Sequence, residues 1–169
     1  MTRVYVGIGS NLRPEQNLQL AIRELATRYQ QLEVSPVYRN PAVGFSGDEF
    51  LNMVAAFDCE QTPDQLLESF EQIHELASRV RGGDRLVSRT LDIDLLLYGD
   101  RIQDTPPLPR EDVLDYLFVL KPLTELAPDL RHPVTGLTMA DHLADRDCET
   151  HRLDKVELEF EIRNAKSAG

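Results

Sequence analysis

The 169-residue chain has no Trp, two Cys, four His and no long apolar run, and each scarcity removes a class of protein. Cys59 and Cys148 stand far apart without CxxC spacing, which argues against a disulfide framework or a thiolate zinc site and fits two reduced thiols. The longest wholly apolar stretches, such as Leu95-Leu96-Leu97-Tyr98, fall far below the ~20 residues that a membrane span needs. The opening MTRVYVGIGS reads as an alternating strand and lacks the apolar run and small-residue cleavage site of a secretory signal. The expectation is a cytoplasmic protein with no membrane partner. Basic residues are also few: 18 Lys and Arg face 29 Asp and Glu, a formal charge of -11. Such a field repels polyanions, so no nucleic acid is expected as a partner, and any phosphate ligand needs a local basic cluster. His132, His142 and His151 lack metal-ligand spacing and read as surface or packing residues. No Walker loop, dinucleotide Gly fingerprint or Ser-His-Asp order occurs.

What remains is a 41% hydrophobic chain of a length that fits one globular domain. Val4, Val6 and Ile8 alternate with Tyr5 and Gly7 and predict a strand over 3–8, which Gly9-Ser10-Asn11 ends. Pro14 followed by Leu18, Ala21, Ile22, Leu25 and Tyr29 predicts a helix over 14–30. Strands are expected over 32–38 and 50–59. Thr62-Pro63-Asp64-Gln65 carries a capping box before a helix reaching about Ser78. The run 90–98 is the strongest strand pattern. Gly99-Asp100 reads as a hairpin turn into Arg101-Ile102-Gln103, and Pro106, Pro107 and Pro109 as a stiff, extended connection. Helical spacing recurs over 118–130, broken at Pro128, and a short helix is expected over 139–144. Strands interleaved with helices give α+β or α/β in one domain. Residues 1–149 form that domain. Residues 150–169 form a charged extension, either an edge strand or a tail, in which Val156, Leu158 and Phe160 alternate with Glu157, Glu159 and Glu161.

The chemistry concentrates in residues 79–95. On a strand, Asp92 and Asp94 share one face while Leu91, Ile93 and Leu95 take the other. Neighbouring carboxylates raise each other's proton affinity unless a cation or basic groups compensate. Mg²⁺ suits them, because it takes a few carboxylate oxygens and leaves its other octahedral positions to water and substrate phosphates. Just upstream, Arg79, Arg81, Arg85 and Arg89 lie among residues with one acid, Asp84, and this is the basic cluster that a phosphate ligand requires. Arg offers a planar donor fork to phosphate oxygens, and Gly82-Gly83 would let the segment move over a polyphosphate. The plainer alternatives are a solvated strand face for the aspartates and surface ion pairs for the arginines.

These residues carry a family likeness. Gly7-Ile8-Gly9-Ser10-Asn11-Leu12, Ser35-Pro36-Val37-Tyr38-Arg39-Asn40-Pro41 with Gly44, Phe50-Leu51-Asn52, Arg79-Val80-Arg81, Arg89-Thr90-Leu91-Asp92-Ile93-Asp94 and Phe118-Val119-Leu120-Lys121-Pro122-Leu123 occur in order. In them the chain resembles 6-hydroxymethyl-7,8-dihydropterin pyrophosphokinase, over about residues 3–145. The resemblance implies a ferredoxin-like α+β fold, an αβα sandwich on a mainly antiparallel sheet. It implies transfer of the diphosphoryl group of ATP to the hydroxymethyl group of the reduced pterin alcohol, with release of AMP, in folate biosynthesis. By the same likeness Asp92 and Asp94 bind two Mg²⁺ ions, and Arg79 and Arg89 join them in catalysis. Arg79, Arg81 and Arg89 contact the ATP phosphates, Phe50 and Phe118 sandwich the pterin, Asn52 hydrogen-bonds it, and the backbone from Asn40 through Pro41 to Val43 closes its edge. A monomer or weak homodimer is expected.

Four departures mark this chain against the family pattern. Leu86-Val87-Ser88 stands where Trp-Gly-Pro is common, removing an aromatic wall worth roughly 1–3 kcal/mol. Arg110 follows Pro109 where His is usual, and it can still meet a phosphate of ATP. Tyr116 replaces a basic residue, and His74 replaces a Glu, although Glu75 is adjacent. They leave open a noncatalytic binder of pterin or nucleotide, a Mg²⁺-dependent nucleotide hydrolase, or a pyrophosphokinase with altered pterin preference.

Overall fold

Val4, Val6 and Ile8 are buried on one face of β1 (Thr2–Ser10), and Tyr5 packs into a separate apolar cluster on the other face. β1 pairs antiparallel with β4 (Phe50–Cys59) on one side and β5 (Asp92–Tyr98) on the other, which puts it in the middle of the sheet. The computed structural model describes residues 1–40, 49–80, 91–148 and 153–162. Within them the sheet order is β5-β1-β4-β3-β6, with β2 (Gln30–Val34) and β3 (Val37–Asn40) following one another along the same edge of β4. Helix α1 (Pro14–Arg28) follows β1 and α2 (Pro63–Val80) follows β4. The first core holds Leu18, Ile22 and Leu25 of α1 and Leu66, Phe70 and Ile73 of α2 with Val6, Phe57 and Leu95 of the sheet. Helices α3 (Asp112–Asp115), α4 (Leu117–Leu126) and α5 (Met139–Ala144) follow, and Val113, Leu120, Leu123 and Met139 close a second core over Val54, Leu96 and Leu97. This is the ferredoxin-like αβα sandwich with an antiparallel sheet.

Local chemistry explains the boundaries. Gln65 N–H donates to Thr62 Oγ1 at 3.3 Å and Thr62 N–H to Gln65 Oε1 at 2.9 Å, the capping box expected at α2. At the end of β1, Asn17 Nδ2 donates to Leu12 O at 2.8 Å and to Ser10 Oγ at 3.1 Å, tying the turn to α1.

Several elements differ from the sequence expectation. The strand expected over 32–38 is two strands, since Pro36 has no N–H for a ladder. Ser35 spans the gap by donating its N–H to Val54 O (2.9 Å) and accepting Val54 N–H on Oγ (2.8 Å). Gly99 (φ 54°) does turn the chain, but Arg101-Ile102-Gln103 forms no second hairpin arm against β5. Gln103 instead exchanges both backbone hydrogen bonds with Leu108, at 3.0 Å each, so the proline segment folds into a turn rather than an extended connection. Arg110 N–H then donates to Leu96 O at 2.9 Å, on the edge of β5 that the hairpin would have used. Helix α4 stops at Leu126 because the residue before Pro128 is driven out of helical geometry.

Beyond the second core, β6 (Asp154–Val156) pairs antiparallel with β3, matching Tyr38 to Lys155. Lys155 Nζ lies 3.3 Å from Glu125 Oε2, and Gln19 Nε2 donates to Glu159 O at 2.8 Å. Leu158, Phe160 and Ile162 pack partly buried against the first core. His132 is buried, its Nδ1 accepting from the N–H groups of Val134 and Thr135. His151 lies outside the described residues. Among those residues no helix is long and apolar enough to cross a membrane.

Candidate active site

The alternation of β5 decides the first feature of the site. Leu91, Ile93 and Leu95 are buried in the first core. Asp92 and Asp94 therefore face the α4 side, where register places Asp92 opposite Gly9 and Asp94 opposite Gly7. On the far side of β1, Gly9 is paired with Asn52 of β4 and Gly7 with Val54. The two glycines thus lie between the acids and β4, and they form the floor of a cavity of about 330 Å³. A Cβ on Gly9 would come within 2.7 Å of Asn52 Oδ1, so that position needs glycine for its close approach.

Opposite the acids the cavity is lined by Phe50, Asn52 and Asn40, and α4 contributes Phe118 and Val119. Asn40 and Asn52 are buried, and Asn52 Nδ2 donates to Asn40 Oδ1 in a short hydrogen bond. Phe50 and Phe118 are only half-buried, leaving ring surface toward the cavity. Tyr116 stacks on Phe118 with ring centroids 4.9 Å apart and 20° between planes. Two rings and two buried amides are the groups that a flat, amide-bearing heterocycle calls for.

The other end is acidic. Asp112, at the start of α3, lines the cavity with Asp92 and Asp94. Arg110 spans the group, with Nη2 3.8 Å from Asp94 Oδ1 and Nε 3.3 Å from Asp112 Oδ1. Its Nε is buried and makes no hydrogen bond of good geometry. Burial above all holds the Asp94 carboxyl above the ordinary carboxylate range; Arg110 opposes this, and Asp92 and Asp112 reinforce it. A divalent cation would relieve that repulsion, and these hard oxygen donors fit Mg²⁺. Among the described residues no group of three or more His, Cys, Asp or Glu side chains gathers into a metal cage. Two carboxylates leave most positions of an octahedral ion to water and phosphate, as Mg²⁺ prefers.

The fold therefore brings Asp92, Asp94, Asn40, Phe50, Asn52 and Phe118 around one cavity, with Arg110 against Asp94. Arg79 ends in the last turn of α2. Pro41, Val43, Arg81, Arg85 and Arg89, with the Gly82-Gly83 pair and Leu86-Val87-Ser88, lie outside the described residues. Asp112 escaped the sequence reading. Its only signal is its place two residues after Arg110, and a four-residue helix has no periodicity to expose it. The tie between His74 and β5 described below also depends on the fold, as the two are distant in sequence.

Comparison with known proteins gives this cavity a family. Residues 5–128 match the family model described as 7,8-dihydro-6-hydroxymethylpterin-pyrophosphokinase. The Pseudomonas aeruginosa protein named 2-amino-4-hydroxy-6-hydroxymethyldihydropteridine pyrophosphokinase is 40% identical over 137 residues, covering 78% of this chain and 84% of that one. The protein of the same name from Methylorubrum extorquens is 39% identical over 153 residues, covering 87% of this chain and 95% of that one. Among solved structures, Plasmodium falciparum HPPK-DHPS with pterin and p-hydroxybenzoate superposes with a TM-score of 0.68 at 12% identity. That match covers 85% of this chain but 42% of the other, so the chain spans less than half of that protein, and at this identity the likeness concerns the fold alone. The matched segment runs from β1 to just beyond α4 and takes in both cavity walls and the acid pair, and on that match the chain belongs to the 7,8-dihydro-6-hydroxymethylpterin-pyrophosphokinase family.

Proposed function

We propose that the cavity between α4 and the sheet is where this chain carries out its family's pyrophosphokinase reaction of folate biosynthesis. The hydroxymethyl oxygen of 6-hydroxymethyl-7,8-dihydropterin attacks the β-phosphorus of ATP. The bond from that phosphorus to the oxygen shared with the α-phosphate breaks, AMP leaves, and the β,γ-diphosphoryl unit stays on the pterin. One observation carries the assignment: an aromatic and amide wall (Phe50, Phe118, Asn40, Asn52) and an acid pair (Asp92, Asp94) open onto the same cavity across Gly7 and Gly9.

Each residue has a physical task. Phe50 and Phe118 hold the pterin between their faces, Asn52 and Asn40 read its heteroatoms, and the backbone of Pro41 to Val43 closes its edge. Asp92 and Asp94 supply carboxylates for two Mg²⁺ ions, and the hydroxyl proton leaves to water, from which either carboxylate can take it. Bound Mg²⁺ supplies charge neutralisation for the polyphosphate and for the attacking oxygen. Arg79, Arg81, Arg89 and Arg110 orient the ATP phosphates, so the reaction depends on positioning and charge rather than on a dedicated side-chain base. Arginine side chains on the phosphates also exclude water, which would otherwise hydrolyse ATP.

The test is to incubate the protein with ATP and Mg²⁺, with and without the reduced pterin, and to follow AMP. AMP that forms only with pterin, in equal amount to the pterin diphosphate, is the expected result. Bound ligands without AMP identify a noncatalytic binder, and AMP without pterin identifies a hydrolase; either overturns the proposal.

A further inference from the structure

Among the described residues β5 is the edge strand of the sheet, paired only with β1, and it carries two like charges at its start. Asp92 and Asp94 repel each other, and a strand end held along one edge can relieve that repulsion by peeling away. The free edge is held at a specific point. Ile93 N–H, the peptide group between the two aspartates, donates to His74 Nε2 of α2 at 2.9 Å. Because Ile93 directs its N–H outward, its neighbours Asp92 and Asp94 direct theirs toward β1, as alternation in an antiparallel ladder requires.

The His74 side chain is 9% exposed and its Nδ1 lies 3.1 Å from Glu71 Oε1, one turn back on α2. An Nε2 that accepts carries its lone pair, so the ring proton sits on Nδ1 and is donated to Glu71. The chain Glu71, His74, Ile93 N–H fixes the imidazole in one orientation and one tautomer. The second tie on this edge, Arg110 N–H to Leu96 O at 2.9 Å, is made farther along β5.

We infer that His74 is a positioning residue for the acid pair: its Nε2 pins the Ile93 amide and so holds both carboxylates toward the cavity. The inference rests on the assignment of Asp92 and Asp94 as cation ligands. His74 is not among the residues that line the cavity. It acts on the backbone between the ligands, as partners behind metal ligands do, whose loss typically weakens metal binding 10- to 100-fold.

The experiment compares His74→Leu, which removes the acceptor, with His74→Gln, whose Oε1 stands the same number of bonds from Cβ as the imidazole Nε2. Asp94→Asn runs alongside. Three quantities are measured: kcat and half-saturating Mg²⁺ for pterin-dependent AMP formation, Mn²⁺ affinity by electron paramagnetic resonance with a nonhydrolysable ATP analogue, and the ¹⁵N shifts of the His74 ring in the ligand-free wild type. We expect His74→Leu to weaken Mn²⁺ binding and lower kcat by about tenfold or more, with pterin affinity little changed and His74→Gln restoring most of the loss. The ring should be protonated at Nδ1 and unprotonated at Nε2.

Wild-type Mn²⁺ affinity and kcat in His74→Leu overturn the inference, as does a loss that Gln fails to rescue. If His74→Leu does not fold, the ring spectrum and hydrogen exchange at Ile93 decide. A protonated Nε2, or an Ile93 amide exchanging as fast as a free edge amide, overturns it. Full turnover and Mn²⁺ affinity in Asp94→Asn defeat the assignment of the acid pair, and this inference falls with it. Collapse of Asp94→Asn beside an intact His74→Leu defeats this inference alone.

Discussion

Gly9 lies in the ladder between Asp92 and Asn52, and the Cβ it lacks would stand 2.7 Å from Asn52 Oδ1. The Asn52 amide cannot easily yield, because its nitrogen is bonded to Asn40. Gly9→Ala should therefore cost about 1–3 kcal/mol of stability as overpacking and break the amide pair, weakening pterin binding at least about tenfold. At Gly7 a Cβ meets Leu96 at 3.5 Å, an ordinary contact, so Gly7→Ala should fold with nearly wild-type stability. Thermal melts and pterin titration of both variants check the contrast.

Asp92→Ala and Asp94→Ala should each reduce pterin-dependent AMP formation by roughly 10²-fold or more while the protein still folds, since removing one of two like charges eases repulsion. Turnover near wild type in either variant counts against that residue as a cation ligand.

The raised proton affinity of Asp94 gives a signed pH dependence. Its carboxyl holds a proton more tightly when folded than when unfolded, so ionised Asp94 destabilises the fold. The penalty is absent below the ordinary value of 3.8, grows as pH rises through the folded pKa and is complete above it. Asp94→Asn removes it. Its thermal midpoint should exceed the wild type's at neutral pH, and the gap should close on acidification. A gap that widens toward low pH contradicts the burial account.

Arg110 lies against Asp94 and Asp112, and the proposed function sets it on the ATP phosphates. Arg110→Ala should raise KM for ATP by about 10- to 100-fold, the loss expected for a hydrogen bond to a charged group. It should also raise the proton affinity of Asp94, whose nearby cation it removes. Steady-state kinetics and an NMR titration of the Asp94 carboxyl test the two effects separately.

Tyr116 supports Phe118 by stacking. Tyr116→Ala removes that support, worth about 0.5–1.5 kcal/mol, and should weaken pterin binding about 2- to 10-fold with ATP binding unchanged. An equal loss for both ligands contradicts a role confined to the aromatic wall.

Much of this molecule is legible from residue order. A period-two run locates β1, and the same period at the start of β5 puts Asp92 and Asp94 on one face, because alternation is a backbone property that tertiary context rarely reverses. Cap chemistry at Thr62 locates the start of α2, whereas the capping box of Thr138 and Asp141 at α5 is seen only in the structure. The division between β2 and β3 is harder to see, since the bridging group is a Ser hydroxyl bonded to a residue 19 positions away. The hairpin after Gly99 fails for a similar reason: a distant amide, that of Arg110, takes the carbonyl it needed. Phe50, Asn52, Asn40 and Phe118 come from family motifs, since an aromatic or amide side chain does not announce from spacing which cavity it faces. Asp112 and the grip of His74 on β5 depend on long-range contacts and emerge only with the fold.

The ties along β5 and the short strand β6 have a consequence for how the protein meets copies of itself. At one margin of the sheet the Ile93 N–H and the Leu96 carbonyl are already engaged within the chain. At the other, β6 beyond β3 is three residues long and bears Asp154 and Lys155. Over the described residues, neither β5 nor β6 offers the long, flat row of unmet amides that templates strand addition and aggregation.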